Sequence, residues 1–183
     1  LEKSTLPARV VNVCSSAHAI IPYVPNVEKL SPMALVKSLH GPGAAQAFRK
    51  IGHTQVYGLS KLCGMYATNC ISDGNRWVNA TSVHPGMSIT SILDGVLPSW
   101  ATTLVYYPSL LLFKTNAEAA RPVLYACLAK SVVRRGYIVD CRDYGDRSGM
   151  VQVSPWGLDA RHGWEVYRWM LERISAVLSK KQE

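Results

Sequence analysis

Three short runs of β-branched and apolar residues, separated by longer helical patterns, constrain the fold of this chain more than any other feature. The runs cover about 9–14, 76–84 and 136–141. Each is short, rich in Val or Ile, and typical of a strand buried inside a sheet. The helical patterns cover about 55–71, 115–130 and 158–178. This alternation predicts an α/β fold in which parallel strands are joined by helical crossovers.

The segment from about 17 to 53, between the first strand and the first long helix, is rich in Pro and Gly. Its Gly41-Pro42-Gly43 sequence is typical of a turn, and we expect a short helix on either side of it. The segment is an insertion that either covers a substrate site as a lid or packs outside it.

Two sequence features make different predictions for the start of the second long helix. Thr115-Asn116-Ala117-Glu118 has the residue types of a capping box, which predicts a helix beginning there and running toward Lys130. Pro122 falls inside that helix, and proline removes a backbone donor. We therefore expect either a kink at Pro122 or a helix that begins later.

The formal charge of +8 raises the question of a nucleic-acid partner, but the basic residues are scattered. The tight basic groups are Arg134-Arg135 and Lys180-Lys181, without the aromatic interleaving of a nucleic-acid surface. We expect no nucleic-acid binding. A positive net charge also favours the binding of an anionic ligand, such as a cofactor that carries phosphates.

The five cysteines form no Cys-x-x-Cys pair and no metal-ligand spacing with histidine. They are Cys14, Cys63, Cys70, Cys127 and Cys141. We expect reduced core cysteines, no metal site and an intracellular protein, with cytoplasmic and membrane-associated locations both open. The apolar stretch 96–113 contains two prolines and is marginal for a membrane span, so we expect a buried or membrane-touching lid there.

Tyr57 and Lys61 lie four residues apart on a predicted helix, which places them on one face. An ammonium beside a phenol favours the phenolate and lowers the tyrosine pKa from its usual value of about 10. Such a tyrosine can exchange a proton with a carbonyl or alcohol oxygen near neutral pH. Taken alone the spacing is weak, because a surface lysine beside a half-buried tyrosine has the same pattern.

The motifs around this pair make the pattern specific. Val11-Asn12-Val13-Cys14-Ser15 precedes it, and His84-Pro85-Gly86-Met87-Ser88-Ile89-Thr90 follows it. In this order the motifs resemble the short-chain dehydrogenase/reductase family. Val13-Cys14-Ser15-Ser16-Ala17-His18 and Gly136-Tyr137-Ile138-Val139-Asp140-Cys141 are similar to its retinol-dehydrogenase-like branch. The resemblance runs from Arg9 to about Cys141, and loosely into the last helix.

The resemblance implies a role for each matched residue. Ser15 would position the substrate, Tyr57 would be the general acid/base, and Lys61 would lower the pKa of Tyr57 and bind the nicotinamide ribose. Four further residues would contact the cofactor: Pro85, Gly86 and Met87 by shaping the nicotinamide pocket, and Thr90 by approaching the carboxamide or phosphates. The activity implied is an NAD(P)-dependent oxidoreductase that interconverts a carbonyl and an alcohol, with NADP favoured over NAD.

The resemblance also implies an incomplete fold, the C-terminal half of a Rossmann-type doubly wound parallel sheet. The Gly-rich turn that holds the pyrophosphate is missing, since Gly41-Pro42-Gly43-Ala44-Ala45-Gln46 has only two of its glycines and follows the serine strand. We therefore expect the N-terminal half to be absent, one strand edge to be exposed, and this chain to bind nicotinamide cofactors poorly.

Two alternatives stay open. The first is a truncated, non-catalytic binding module or pseudoenzyme fragment of the same fold. The second, a sugar-nucleotide epimerase, also has Tyr-x-x-x-Lys but is disfavoured by the Pro-Gly-x-x-x-Thr ending.

The retinol-dehydrogenase-like branch implies a small lipophilic carbonyl or alcohol substrate, such as a retinoid, steroid or fatty aldehyde, with membrane-surface contact left open. His18, His53 and His84 are expected to be structural rather than catalytic.

Overall fold

The sheet of this α/β protein has four strands in the order β1-β2-β3-β4. The computed structural model describes residues 7–19, 21, 30–86, 114–143 and 153–180. The strands are β1 (Ala8–Val13), β2 (Val78–His84), β3 (Tyr137–Val139) and β4 (Arg142–Asp143). The helices are α1 (Pro32–Ser38), α2 (Ala44–Ile51), α3 (His53–Gly74), α4 (Asn116–Leu128), α5 (Pro155–Leu158) and α6 (Ala160–Ser179), and a 3-10 helix covers Ser16–Ala19.

The first three strands are parallel, as the alternation of strands and helices predicts. Val13 of β1 is in register with Val83 of β2, and Ser82 with Tyr137 of β3. The fourth strand was not predicted, and the predicted strand at 136–141 is wrong at its end. Asp140 and Cys141 have φ of 50° and 60°, so they form a tight two-residue turn that sends β4 back antiparallel to β3.

The structure tests two further boundary predictions, one for the second strand and one for the second long helix. The second strand begins at Val78 rather than at about 76, because Trp77 belongs to a turn in which its N–H donates to Asn75 Oδ1 at 2.9 Å. The predicted capping box is confirmed, with Glu118 N–H donating to Thr115 Oγ1 and Thr115 N–H to Glu118 Oε2. The helix therefore begins at Asn116, and Pro122 lies buried inside it.

Helices cover both faces of the parallel strands. On one face, Asn12 Nδ2 donates to Thr68 Oγ1 of α3 at 3.0 Å. On the other, Val11 packs against a cluster that contains Val83 and Ala126 of α4. β3 and most of β2 are buried between these helices, which fits their apolar sequences. The prediction of a buried first strand is wrong, because most of β1 is exposed despite its apolar sequence.

The main core lies on the α3 side and joins α3 to α1 and α6. Its fully buried members are Ile21, Leu35, Val36, Leu59, Leu62, Tyr66 and Val166. Tyr66 donates its hydroxyl hydrogen to the carbonyl of Trp156 at 2.7 Å, which ties α3 to α5. A second cluster joins α3 to the sheet through Cys14, Met65, Tyr137, Val139 and Val153. Together these clusters fix α3 firmly against the strands.

The segment at 17–53 contains the two predicted short helices on either side of Gly41-Pro42-Gly43. Ser31 caps α1 by accepting from the Ala34 N–H at 3.2 Å, and Pro32 occupies the first helical turn. Within the described ranges, no helix is long and apolar enough to cross a membrane. The apolar stretch 96–113 lies outside the described residues.

Two arginines bind the carboxyl ends of helices instead of a ligand. Arg9 donates to the carbonyls of Ala126 and Cys127 in the last turn of α4, at 3.2 and 3.0 Å. Arg134 donates to carbonyls at and beyond the end of α3, including Asn75 at 3.3 Å and Val78 at 3.1 Å. A guanidinium satisfies carbonyls that have no partner inside the helix and neutralises the negative end of the helix dipole.

Replacing Arg134 by Met should lower the free energy of unfolding by about 1–2 kcal/mol, because several carbonyls then lose a charged donor. Urea denaturation followed by circular dichroism measures the change. Arg168→Met is the matched control, since Arg168 is exposed on α6, and it should shift stability by less than about 0.5 kcal/mol. Equal effects of the two substitutions would contradict the capping role.

Candidate active site

Tyr57 and Lys61 share one face of α3, as their spacing predicts. The Lys61 Nζ lies 5.4 Å from the centroid of the Tyr57 ring, within range of a cation–π contact. The Tyr57 side chain is 47% exposed, so its phenol is open to a ligand. The geometry therefore joins a proton-carrying group to a cation at an accessible surface.

Lys61 also contacts the carboxyl end of the first strand. Its Nζ donates a long hydrogen bond of 3.5 Å to the Val13 carbonyl. The Cys14 thiol in turn donates to the Lys61 carbonyl at 3.4 Å. These contacts hold the ammonium at the strand end, where parallel α/β sheets bind their ligands.

Ser15 follows directly after this strand end and leads into the 3-10 helix. Its Oγ accepts a hydrogen bond from the Ala17 N–H at 3.3 Å. The same turn packs on α3 at Gly58, where a Cβ would lie 2.5 Å from the Ala17 carbonyl oxygen. Only glycine allows that approach, and it places the turn beside Tyr57. The structure thus brings Ser15, Tyr57 and Lys61 into one neighbourhood.

Pro85 and Gly86 lie at the same edge of the sheet. They follow β2, whose Val83 is in register with Val13, so they stand beside Ser15 across the ladder. Gly86 has φ of 92°, and a Cβ there would lie 2.9 Å from Lys114 Cδ and Nζ. A larger residue would therefore be strained at this φ and would displace the flexible end of the Lys114 side chain. Met87 and Thr90, the other predicted cofactor contacts, lie outside the described residues.

An ion pair at this edge was missed by sequence reasoning. Lys114 Nζ binds Asp140 Oδ1, and Asp140 follows the end of β3. Asp140 directly follows a parallel strand, and polar residues in that position gather at one edge of the sheet. This position could have indicated that Asp140 lies near the candidate site. Lys114 lies 26 residues away along the chain, and no local pattern connects it to Asp140.

Two of the histidines that are predicted to be structural, His18 and His84, are buried. His18 is fully buried, its Nδ1 donates to the Ser15 carbonyl at 2.6 Å, and its Nε2 accepts from the Ser154 N–H at 3.3 Å. Burial lowers the pKa of His18. Burial and the neighbouring Lys114 likewise lower the pKa of His84, whose Nδ1 has no partner within the described part of the chain. Both rings therefore favour the neutral form.

The five cysteines are all free thiols, as predicted. Cys14 and Cys70 are buried, whereas Cys127 is exposed, so the expectation of core cysteines is wrong for Cys127. Burial raises the pKa of the Cys14, Cys63 and Cys70 thiols to about 11, which makes them poor nucleophiles. The described residues contain no group of His, Cys, Asp and Glu that could hold a metal ion.

No family model matches this chain, and no curated protein matches it. The resemblance to dehydrogenases therefore rests on the motifs themselves, and family membership stays a prediction.

The buried histidines should make stability fall with acidity. An unfolded histidine titrates near pH 6.5, whereas His18 stays neutral to lower pH in the folded state, so only the unfolded chain takes up a proton just below about pH 6.5. The unfolding free energy, measured by urea titration, should change little between about pH 7 and pH 8 and fall below about pH 6.5. His18→Gln should flatten that slope relative to His53→Gln, which changes an exposed residue. An unchanged slope in His18→Gln would contradict the assignment.

Proposed function

We propose that this chain carries the proton-transfer half of an NAD(P)-dependent oxidoreductase that interconverts a carbonyl and an alcohol. The observation that supports it best is the position of Lys61, whose ammonium lies beside the Tyr57 ring and donates to Val13 at the strand end next to Ser15. A cation tied to the ligand-binding edge of the sheet is what a tyrosine acid/base requires from its neighbour.

The chemistry of each residue follows from this arrangement. In the reducing direction, Tyr57 gives its phenolic proton to the carbonyl oxygen of the substrate, and Lys61 stabilises the phenolate that remains. In the oxidising direction, the phenolate takes the proton of the alcohol. Ser15 holds the substrate oxygen through its hydroxyl group. A bound nicotinamide would accept or supply the hydride.

The residues present fit one end of such a cofactor. Lys61 offers an ammonium to ribose hydroxyls, and Gly86, with φ of 92°, presents its backbone without a side chain at the same edge of the sheet. The pyrophosphate end has no counterpart, because the sequence contains no Gly-rich turn between a strand and a helix. We therefore infer that the nucleotide is held mainly by a domain half that this sequence lacks.

The open edge of β1 is where that half would join. The N–H groups of Ala8 and Cys14 donate to Trp77 and Val83, so peptide groups of alternate residues face β2. The intervening residues, such as Val11, direct their N–H and C=O groups away from β2, where a further parallel strand would pair. The side chains of Val10 and Val13 are 38% and 47% exposed, more than is usual for an internal strand. In this proposal, the sheet is the C-terminal half of a Rossmann-type sheet.

A second candidate function is a non-catalytic binding module of the same fold. It is favoured by the same missing turn, since a catalytic pair without nucleotide binding transfers no hydride. The coding sequence upstream of Leu1 discriminates the two readings. An in-frame strand followed by Thr-Gly-x-x-x-Gly-x-Gly supports the enzyme, and its absence supports the module.

The 183-residue chain should bind nicotinamide nucleotides poorly. Titration calorimetry with NADPH is expected to give no saturable heat at concentrations up to about 1 mM, because the contacts to the pyrophosphate are missing. A dissociation constant of about 1–10 μM on this chain would overturn the proposal of a split cofactor site.

If the coding sequence upstream of Leu1 supplies a nucleotide-binding half, Tyr57→Phe should abolish nearly all turnover of the full-length protein, while nucleotide affinity stays the same. The ring is kept and only the proton is lost, so kcat should fall by at least about 100-fold. NADPH oxidation with a panel of lipophilic aldehydes measures turnover. Tyr125→Phe, which removes an exposed phenol on α4, is the control. A Tyr57→Phe enzyme that keeps about a tenth of wild-type turnover would show that the acid/base is another group.

A further inference from the structure

A cavity of about 620 Å³ lies between α1, α2, α3 and α6, outside the candidate active site. Its lining comprises Val36, Leu39, His40, Ala44, Ala45, Phe48, Val56, Leu59, Ser60, Cys63, Trp169 and Met170. Four helices contribute to the walls, and Leu59 and Val36 at its base belong to the main core. The volume falls in the range of small-molecule sites, about 300–1,000 Å³.

The helix α2 gives an independent indication that something fills this space. Ala44, Ala45 and Phe48 of α2 line the cavity, yet none of its residues is buried. Its basic residues, Arg49 and Lys50, are exposed. An amphipathic helix is normally held in place by burying its apolar face. Here that face borders a hollow, so a ligand in the hollow would complete the packing of α2.

The polar groups on the walls define the ligand further. No Asp, Glu, Lys or Arg is among the lining residues. Burial raises the pKa of the Cys63 thiol to about 11, so it is neutral. A charged ligand group would therefore be desolvated here without a counter-charge, which is unfavourable.

Two acceptors remain available on the same walls. His40 Nδ1 donates to the Val36 carbonyl at 2.8 Å, and an imidazole that carries its one proton on Nδ1 has Nε2 as an acceptor. Ser60 Oγ donates its hydrogen to the Tyr57 carbonyl at 2.7 Å and keeps its lone pairs. A ligand hydroxyl could donate to either group.

We propose that this cavity binds an uncharged lipophilic molecule that carries a hydroxyl group, such as a long-chain alcohol. The site is separate from the proposed proton-transfer centre. Val56, Leu59, Ser60 and Cys63 follow one face of α3, whereas Tyr57 and Lys61 lie about 110–150° around the same helix. The proposal therefore does not depend on whether the chain is an oxidoreductase.

The test uses the uncharged fluorescent probe N-phenyl-1-naphthylamine on the 183-residue chain. Wild type should bind the probe saturably with one site per chain. Ala44→Trp fills the cavity from α2 and should weaken binding at least about tenfold, whereas Gln46→Trp adds the same ring at an exposed position of α2 and should leave affinity unchanged. Loss of saturable binding in wild type, or equal effects of both variants, would overturn the proposal.

Further measurements cover folding, ligand class and other occupants. If Ala44→Trp loses its helical circular dichroism, Val56→Phe fills the same space from α3 and replaces it in the binding test.

Displacement of the probe should be at least about tenfold stronger with 1-decanol than with decanoate at about pH 8, and equal displacement would refute the uncharged-alcohol assignment. Sedimentation that shows a wild-type dimer, broken by Ala44→Trp and not by Gln46→Trp, would instead assign the cavity to an interface and overturn the proposal.

Discussion

The close packing of α3 on the first strand and on the turn after it is the constraint on which the rest of the structure depends. At Gly58 a Cβ would lie 2.5 Å from the Ala17 carbonyl, and at Gly64 it would lie 3.0 Å from Asn12 Nδ2. The backbone contact at Gly58 leaves room for hydrogen only, so glycine is favourable there despite its low helix propensity. At Gly64 the contact is tight, and a Cβ would push the Asn12 amide aside. The same approach brings Tyr57 and Lys61 to the carboxyl end of β1.

The positive charge of the chain has more than one use, and much of it is structural. Arg9 and Arg134 bind carbonyls at the ends of α4 and α3. Lys61 and Lys114 lie instead at the carboxyl edge of the sheet, where Lys114 is neutralised by Asp140. Lys61 and Arg142, which is paired with Val139 at the end of β3, are the other described cations near that edge. The net charge of +8 is a sum over the whole chain, so it does not show how positive the electrostatic potential is at any one site.

Local patterns predicted the parts of the fold that depend on neighbouring residues. The three parallel strands, the capping box at Thr115 and the helices beside Gly41-Pro42-Gly43 all follow from propensity and turn chemistry. The features that were missed depend on long-range contacts or on backbone geometry. Lys114 finds Asp140 only after β2 and β3 pair, and β4 depends on positive φ at Asp140 and Cys141, two residues that are not glycine.

The candidate site divides in the same way. The spacing of Tyr57 and Lys61 follows from helix periodicity, so the sequence alone was enough to place both on one face. The contact between Lys61 and the Val13 carbonyl depends on the tertiary packing of α3, which no local pattern reveals. The contacts of His18 also depend on tertiary packing. Its ring is hydrogen-bonded to the Ser15 carbonyl and to the Ser154 N–H, and 136 residues separate His18 from Ser154.

The two sides of β1 differ in a way that locates what the proposed enzyme lacks. Toward β2 and α3 the packing is complete: Cys14 and Met65 are buried together, and Asn12 is hydrogen-bonded to Thr68. At the opposite edge, the peptide groups of alternate residues such as Val11 point away from β2, and no strand among the described residues pairs with them. A partly open strand edge is a template for further pairing, and natural proteins normally protect such an edge. If the chain functions as an oxidoreductase, the completing element must therefore lie along β1, and Tyr57 and Lys61 already have their intramolecular neighbours in place.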